Sequence, residues 1–207
     1  MIPVKVLAVR YLNNCTESLL RAIGAPEDCP SLGMLTTDCD DATYIALDAA
    51  TKASQVTVAY GGSFYAGAGN ASTPNAGEVI GILAGKTPGA VKAGMEAALQ
   101  ALGSLGFEEI RGVPCLAHTV SSAGNFLSQQ AGVSPGAALA YLIAPPLESM
   151  YAMDRALKAA DVELRKLYLP PTETNFGGGL LTGTQSACTL AAQAFRQAVE
   201  EVAARPR

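Results

Sequence analysis

Tryptophan is absent from the chain and histidine occurs once, as His118. A hydrolytic triad needs a serine or cysteine and an acid converging on a histidine. No GxSxG elbow accompanies His118, so the residue reads as a hydrogen-bonded core histidine inside a strand rather than a base. Charge is scarce too: charged residues make up 15% of the chain, against roughly 25% in an average soluble protein. The net charge of −4 comes without any run of Lys and Arg, which excludes nucleic acid as a partner because phosphate neutralisation needs clustered cations. The longest apolar run, Ala137–Leu147, is too short to span a bilayer and holds Pro145 and Pro146, so no membrane association is expected. The N-terminal MIPVKVLAV lacks the long apolar core of a signal peptide and reads as a first strand. Five cysteines without a CxxC pair fit reduced thiols in a cytoplasm better than disulfides or zinc. The run Ala66–Asn70 (AGAGN) has neither the lysine of a phosphate loop nor a complete GxGxxG, and reads as a flexible turn. No cofactor is expected.

What the chain does have is a duplication. Ala46–Val58 (ALDAATKASQVTV) returns as Ala152–Leu164 (AMDRALKAADVEL), with six of thirteen positions identical, Asp48 and Lys52 pairing with Asp154 and Lys158. After each copy comes a glycine-bounded apolar strand and then a helix, starting at Gly81 and at Gly179. Before each comes a looser echo, Leu20–Pro26 and Leu127–Pro135. A repeat of this length means two copies of one domain, not a solenoid. We expect domains at 1–106 and 107–207, joined near Gly103–Pro114. The hydrophobic share of 49% leans on alanine. Surface buried against other chains would explain that composition, and so would an alanine-rich organism.

The patterning predicts strands at Val4–Val9, Leu32–Thr37, Gln55–Tyr60 and Glu78–Leu83, and helices after Thr16, from Asp40 and from Pro88. Gly61–Gly69 reads as a connection. The second half repeats the plan: strands near Cys115–Val120, Leu139–Ile143, Glu163–Tyr168 and Gly179–Leu181, and helices at Asn125–Ala131, Leu147–Ala160 and Ser186–Ala203. The last helix is expected to bury Leu190, Ala194, Phe195, Ala198 and Val202. The fold class is α+β, helices on one face of a mostly antiparallel sheet. The glycines at Gly177–Gly179 mark a strand entry where backbones approach closely.

The chemistry-bearing group is acidic: Asp38, Asp40 and Asp41 around Cys39, with Glu78 elsewhere. Aspartate at a helix start caps it, contributing roughly 0.5–2 kcal/mol without any ligand. Three acids exceed what one cap needs, and the second copy has Ala144-Pro145-Pro146 there. The group is therefore a candidate site for a cation or an ammonium, with helix capping the plainer alternative.

At this point the strings SLGMLTTDCDDATYIALDAATKA, YAGAGNAST…AGEVIGILAG, AYLIAPPLESMYAMDRALKAADVEL and PPTETNF…LLTGTQSAC come together. They resemble the shell proteins of bacterial microcompartments, and among them the tandem-domain ethanolamine-utilization shell proteins of the L type. The likeness covers nearly the whole chain. It implies two tandem, circularly permuted shell domains, antiparallel sheets flanked by helices, and a homotrimer imitating a hexamer, set among other shell proteins in a lattice. It implies a cytoplasmic body, the microcompartment shell, and no enzymatic activity. It places Lys52 and Lys158 at the lattice edge, and Asp40, Asp41 and Glu78 in small pores that take ethanolamine, with Thr174, Asn175 and Phe107 nearby. The segment Gly103–Pro114 is shorter than its family counterpart, which leaves central gating open. The alternatives are a tile for another aldehyde-producing pathway, such as propanediol or choline breakdown, and a soluble small-ligand-binding α+β protein.

Overall fold

The computed structural model describes residues 1–64, 77–169, 172 and 174–207. The run Ala66–Asn70 and most of the expected Gly61–Gly69 connection lie outside the described residues, as do Pro170, Pro171 and Glu173 of the PPTETNF string. The chain divides into two compact units. One holds Pro3–Leu105 together with Gly124–Leu127; the other holds Met1–Ile2, Gly106–Ala123 and Ser128–Arg207.

The first unit contains β2 (Val6–Leu12), α1 (Glu17–Ala22), β3 (Ser31–Thr37), α2 (Asp40–Ala53), β4 (Val56–Ser63), β5 (Val79–Gly85) and α3 (Pro88–Leu102). Its four strands lie in the order β2-β3-β5-β4, all antiparallel. Period-two alternation in β3 sorts the side chains. A Cβ at Gly33 or Gly81 would strike Val91 and Met95 of α3 or Leu47 of α2, so that face carries the two long helices. Leu32, Ile82 and Ala84, on the other face, cluster with Leu20 of α1. Helices thus touch both faces of this sheet, not one: α1 is short, but its fully buried Leu20 needs a second apolar surface. The α3 start is capped by Thr87, whose Oγ1 accepts from Ala90 N at 3.2 Å, with Pro88 in the first turn.

The second unit contains β6 (Gly106–Ile110), β7 (Val113–Val120), β8 (Ala138–Ala144), α5 (Pro146–Ala159), β9 (Val162–Tyr168), β10 (Gly177–Gly183) and α6 (Gln185–Ala204). A further helix, α4 (Asn125–Ala131), begins in the first unit and ends in the second. The sheet order is β1-β6-β7-β8-β10-β9, where β1 is Ile2–Pro3. Its last four strands repeat the order of the first sheet. The core joins Leu142, Leu181 and Phe195 to the buried alanines Ala152, Ala156, Ala191 and Ala198. Alanine at these positions of α5 and α6 lets the helix backbones approach closely, which gives the alanine-rich composition a local cause. At the start of β10, a Cβ on Gly178 (φ 141°) would fall 1.9 Å from the carbonyl oxygen of Leu142. Only glycine fits, as the glycine run predicts.

Three expectations need correction. The joint Gly103–Pro114 holds a strand, β6, which pairs with β7 through a two-residue turn at Arg111 (φ 52°) and Gly112 (φ 85°). Positive φ at both residues is the hairpin geometry that Asn-Gly usually signals, and Arg-Gly does not advertise it. In α6, Leu190 is 48% exposed, and the buried stripe runs through Cys188, Ala191, Ala192, Phe195, Ala198 and Val199. Alanine and cysteine hold four of these six inward positions, so Leu190, though larger, lies outside the face. His118 lies in β7 as expected but is only partly buried.

Candidate functional site

The acids of the first unit are brought together by β3 ending, α2 beginning and β5 entering the sheet. Cys39, not an aspartate, is the N-cap residue of α2, and its own side chain makes no capping bond. Thr37 organises the turn instead: its Oγ1 accepts from Cys39 N at 3.0 Å and stands 2.8 Å from Thr43 Oγ1. Asp40 and Asp41 therefore occupy the first helical turn, where the helix dipole favours negative charge. Asp41 N donates to Asp40 Oδ1 at 2.8 Å, and Asp38 Oδ1 accepts from Lys5 N at 2.7 Å. Both Asp40 and Asp41 are buried, at 8% and 7% exposure.

Glu78 reaches the same place from the other direction. Its N–H donates to Thr37 O at 2.8 Å, and its carbonyl accepts from Phe64 N at 2.9 Å. The preceding Gly77 makes that approach possible, since a Cβ there would lie 2.1 Å from Thr37 O. Half-buried, with Asp40 and Asp38 as neighbours, Glu78 has its carboxyl pushed up to about 7, chiefly by loss of solvent and then by the two aspartates. Burial also drives the Cys39 thiol far above its ordinary value, with further pushes from Asp41, Asp40 and Glu78. Asp38, Asp40, Asp41 and Glu78 thus act electrostatically on one small region. Such a group disfavours anions and favours a positively charged donor. Among the described residues no group of three or more His, Cys, Asp or Glu is arranged to hold a metal ion.

The three remaining residues named beside the pore belong to the second unit. Phe107, on β6, packs against Phe176 with ring centroids 5.6 Å apart. Asn175 takes a positive φ of 61° in a turn whose N–H returns to Thr172 O at 3.2 Å. Thr174 precedes it, partly buried.

The two repeat lysines have unequal surroundings. Lys158 pairs with Asp154 at 2.7 Å, with both side chains mostly in solvent. Lys52 pairs with Asp48 at 3.3 Å, and the Asp48 side chain has no exposed surface at all. Asp48 Oδ2 accepts from Gly124 N at 2.7 Å and Oδ1 from Leu127 N at 2.9 Å, so it caps the start of α4. Sequence reasoning did not single out Asp48. Its identity with Asp154 between the copies was a signal, but the burial that separates the two is visible only in three dimensions.

Comparison with known proteins places this architecture. The BMC domain family matches residues 31–112. The bacterial microcompartment shell protein EutL of Clostridium perfringens is 52% identical over 100% of this chain and 97% of its own length. The chain belongs to the EutL family of bacterial microcompartment shell proteins. The ethanolamine utilization protein EutL from Leptotrichia buccalis superposes with a TM-score of 0.97 at 53% identity, covering 99% of this chain and 96% of that one. The trimeric shell protein PduB shares the fold, with a TM-score of 0.77 at 18% identity over 94% of this chain and 87% of its own. The shell protein is thus a structural member of an ethanolamine-utilization microcompartment, and none of its described helices is long and apolar enough to cross a membrane.

Proposed function

We propose that this shell protein is a homotrimeric, pseudohexameric tile whose first domain, residues 1–106, carries a small pore for ethanolamine, with the second domain at 107–207. The convergence of Asp40, Asp41 and Glu78 on the start of α2 carries this reading. Ethanolammonium offers only donors and a positive charge, so carboxylates are the side chains that suit it. Charge-assisted hydrogen bonds contribute roughly 1.5–3 kcal/mol each. Two of them, less the cost of immobilising a small ligand, leave an affinity on the order of millimolar. Weak binding suits passage, because a tightly held ligand blocks its own pore. Thr174, Asn175 and Phe107 are assigned to the pore surroundings, and Lys52 and Lys158 to the lattice edge, where lysine stems cover a neighbour while the ammonium stays wet. The EutL names of the relatives favour ethanolamine over propanediol or choline breakdown.

Crystals soaked in tens of millimolar ethanolamine test the assignment. The ligand should lie against Asp40, Asp41 and Glu78 in the parent protein and be missing from Asp40→Asn/Glu78→Gln. Unchanged binding in that variant would remove Asp40 and Glu78 from the ligand site and leave Asp40 only its favourable place in the first turn of α2.

A further inference from the structure

Glu78 stands between two residues that a single hydroxyl holds. Thr36 Oγ1, on β3, donates to Val79 O at 2.7 Å and accepts from Gly77 N at 3.2 Å. The backbone is thereby gripped on either side of Glu78. A hydroxyl has one proton to give and lone pairs to accept with, and this bridge uses both capacities. Thr36 is partly buried and the fit is close, since a Cβ on Gly77 would lie 2.5 Å from its Oγ1.

The second copy of the fold builds the same strand pair without this bridge. Strands β3 and β8 have seven residues each, and Ile143 holds in β8 the place that Thr36 holds in β3. Phe176, just before β10, has the place of Glu78, just before β5. Ile143 pairs with Gly178 as Thr36 pairs with Ile80, and it is 4% exposed. An apolar β-branched residue therefore serves the ladder as well as threonine does. The hydroxyl goes with the carboxylate: the copy that has Phe176 instead of Glu78 has Ile143 instead of Thr36. Strand pairing does not account for the hydroxyl, whereas directing a charged side chain does.

We propose that Thr36 is a positioning residue of the acid group, its hydroxyl fixing the backbone from Gly77 to Val79 so that the Glu78 carboxyl is held against Asp38 and Asp40. Thr36 acts through Glu78, not on the ligand. Asp38, Cys39 and Asp40 arrive along the chain from β3 into α2, and Glu78 is the acid that comes in with β5. Asp40 and Asp38 both act on Glu78, and Glu78 acts in turn on Cys39. Charge interactions weaken with distance and with access of water, so a segment released from Thr36 lets the carboxyl swing away and regain solvent. This inference rests on the pore reading for what the site binds.

Carbon-13 NMR of the Glu78 carboxyl in the full chain, assigned by its loss in Glu78→Gln, tests the positioning without ligand. The parent should titrate near 7. Thr36→Val keeps the shape of the side chain and removes the hydroxyl. Its circular dichroism should match the parent's, while the Glu78 midpoint falls by about one pH unit or more toward the ordinary carboxyl value. Thr36→Ser, which keeps the hydroxyl, should titrate like the parent. Ethanolamine affinity at pH 8, by calorimetry, should follow: about tenfold weaker in Thr36→Val, as for one charge-assisted hydrogen bond, and within about threefold of the parent in Thr36→Ser. Between pH 8 and pH 6, Thr36→Val should lose less affinity than the parent. An unchanged Glu78 midpoint in Thr36→Val overturns the proposal. So does loss of the fold in that variant, because the ladder around Ile143 forms without a hydroxyl. Thr36→Ser titrating like Thr36→Val overturns the hydroxyl as the cause. Midpoints that move as expected, in a parent that binds no ethanolamine at tens of millimolar, sink the pore reading and leave the positioning role standing.

Discussion

Helices α2 and α5 hold the same place in the two copies of the fold and begin in opposite ways. The first starts with Asp40 and Asp41, the second with Pro146 and Leu147. Burial is inverted relative to polarity: Asp41 is 7% exposed, and Leu147, its counterpart, is 66% exposed. The usual preference puts leucine inside and aspartate out. A helix that forms equally well with proline at its start does not need the acids, so folding does not account for keeping carboxylates out of water. The second contrast sets Asp48, fully buried and accepting the N–H groups of Gly124 and Leu127, against Asp154, which lies mostly in solvent and pairs with Lys158.

The sharpest break of this symmetry is Asp48→Ala against Asp154→Ala. Removing Asp48 leaves the Gly124 and Leu127 N–H groups without their acceptor and takes away the Lys52 ion pair, and should cost about 2–5 kcal/mol by urea unfolding. Removing Asp154 takes away only a solvent-screened pair, about 0–1 kcal/mol. Equal costs would mean that the two helices are not set in the different surroundings described here.

Glu78 gives the next largest effect, and its sign is fixed by the direction of its shift. The carboxyl is pushed up to about 7 from 4.5, so the folded state binds the proton more tightly than the unfolded chain. That contribution is fully present below the unfolded value and is lost as pH rises through about 7. After discounting for solvent screening of this half-buried group, Glu78→Gln should stabilise the protein by about 1–2 kcal/mol at pH 8. At pH 4 the gain should vanish. Thermal unfolding across that range checks both the size and the slope.

The lysines give the smallest effect on stability and the largest on lattice formation. Lys158→Asp should change stability by under about 0.5 kcal/mol, whereas Lys52→Asp sets a like charge beside the buried Asp48 and should cost more. The double variant should form no sheets by negative-stain microscopy while single particles persist. Sheets indistinguishable from the parent's would remove both lysines from the edge.

Much of this was legible in the sequence. The order of strands and helices follows from apolar periodicity and glycine boundaries, and Pro88 and the glycines before Leu180 announce their own geometry. The acid group could be suspected because one copy has it and the other has Ala144-Pro145-Pro146. What escaped depends on long-range contact. Hairpin β6–β7 turns on Arg111, whose positive φ no residue preference signals. The inward face of α6 is written in alanines, which periodicity weighs little against Leu190. That Glu78 faces Asp38 and Asp40 required Gly77 to bring one strand edge against Thr37, a closeness no local pattern reports.

Titration calorimetry with ethanolamine at pH 8 and pH 6 bears most directly on the acid group. The ligand is a cation at both values, so any change belongs to the protein. Ionised Glu78 should bind at millimolar strength at pH 8, with affinity about five- to tenfold weaker at pH 6, where most of that carboxyl holds a proton. Binding near neutral pH should release a proton, measurable as a buffer-dependent heat, and Glu78→Gln should abolish both the pH dependence and the release. Affinity equal at the two pH values, or no heat of binding at tens of millimolar ethanolamine, would contradict a pore built on Asp40, Asp41 and Glu78.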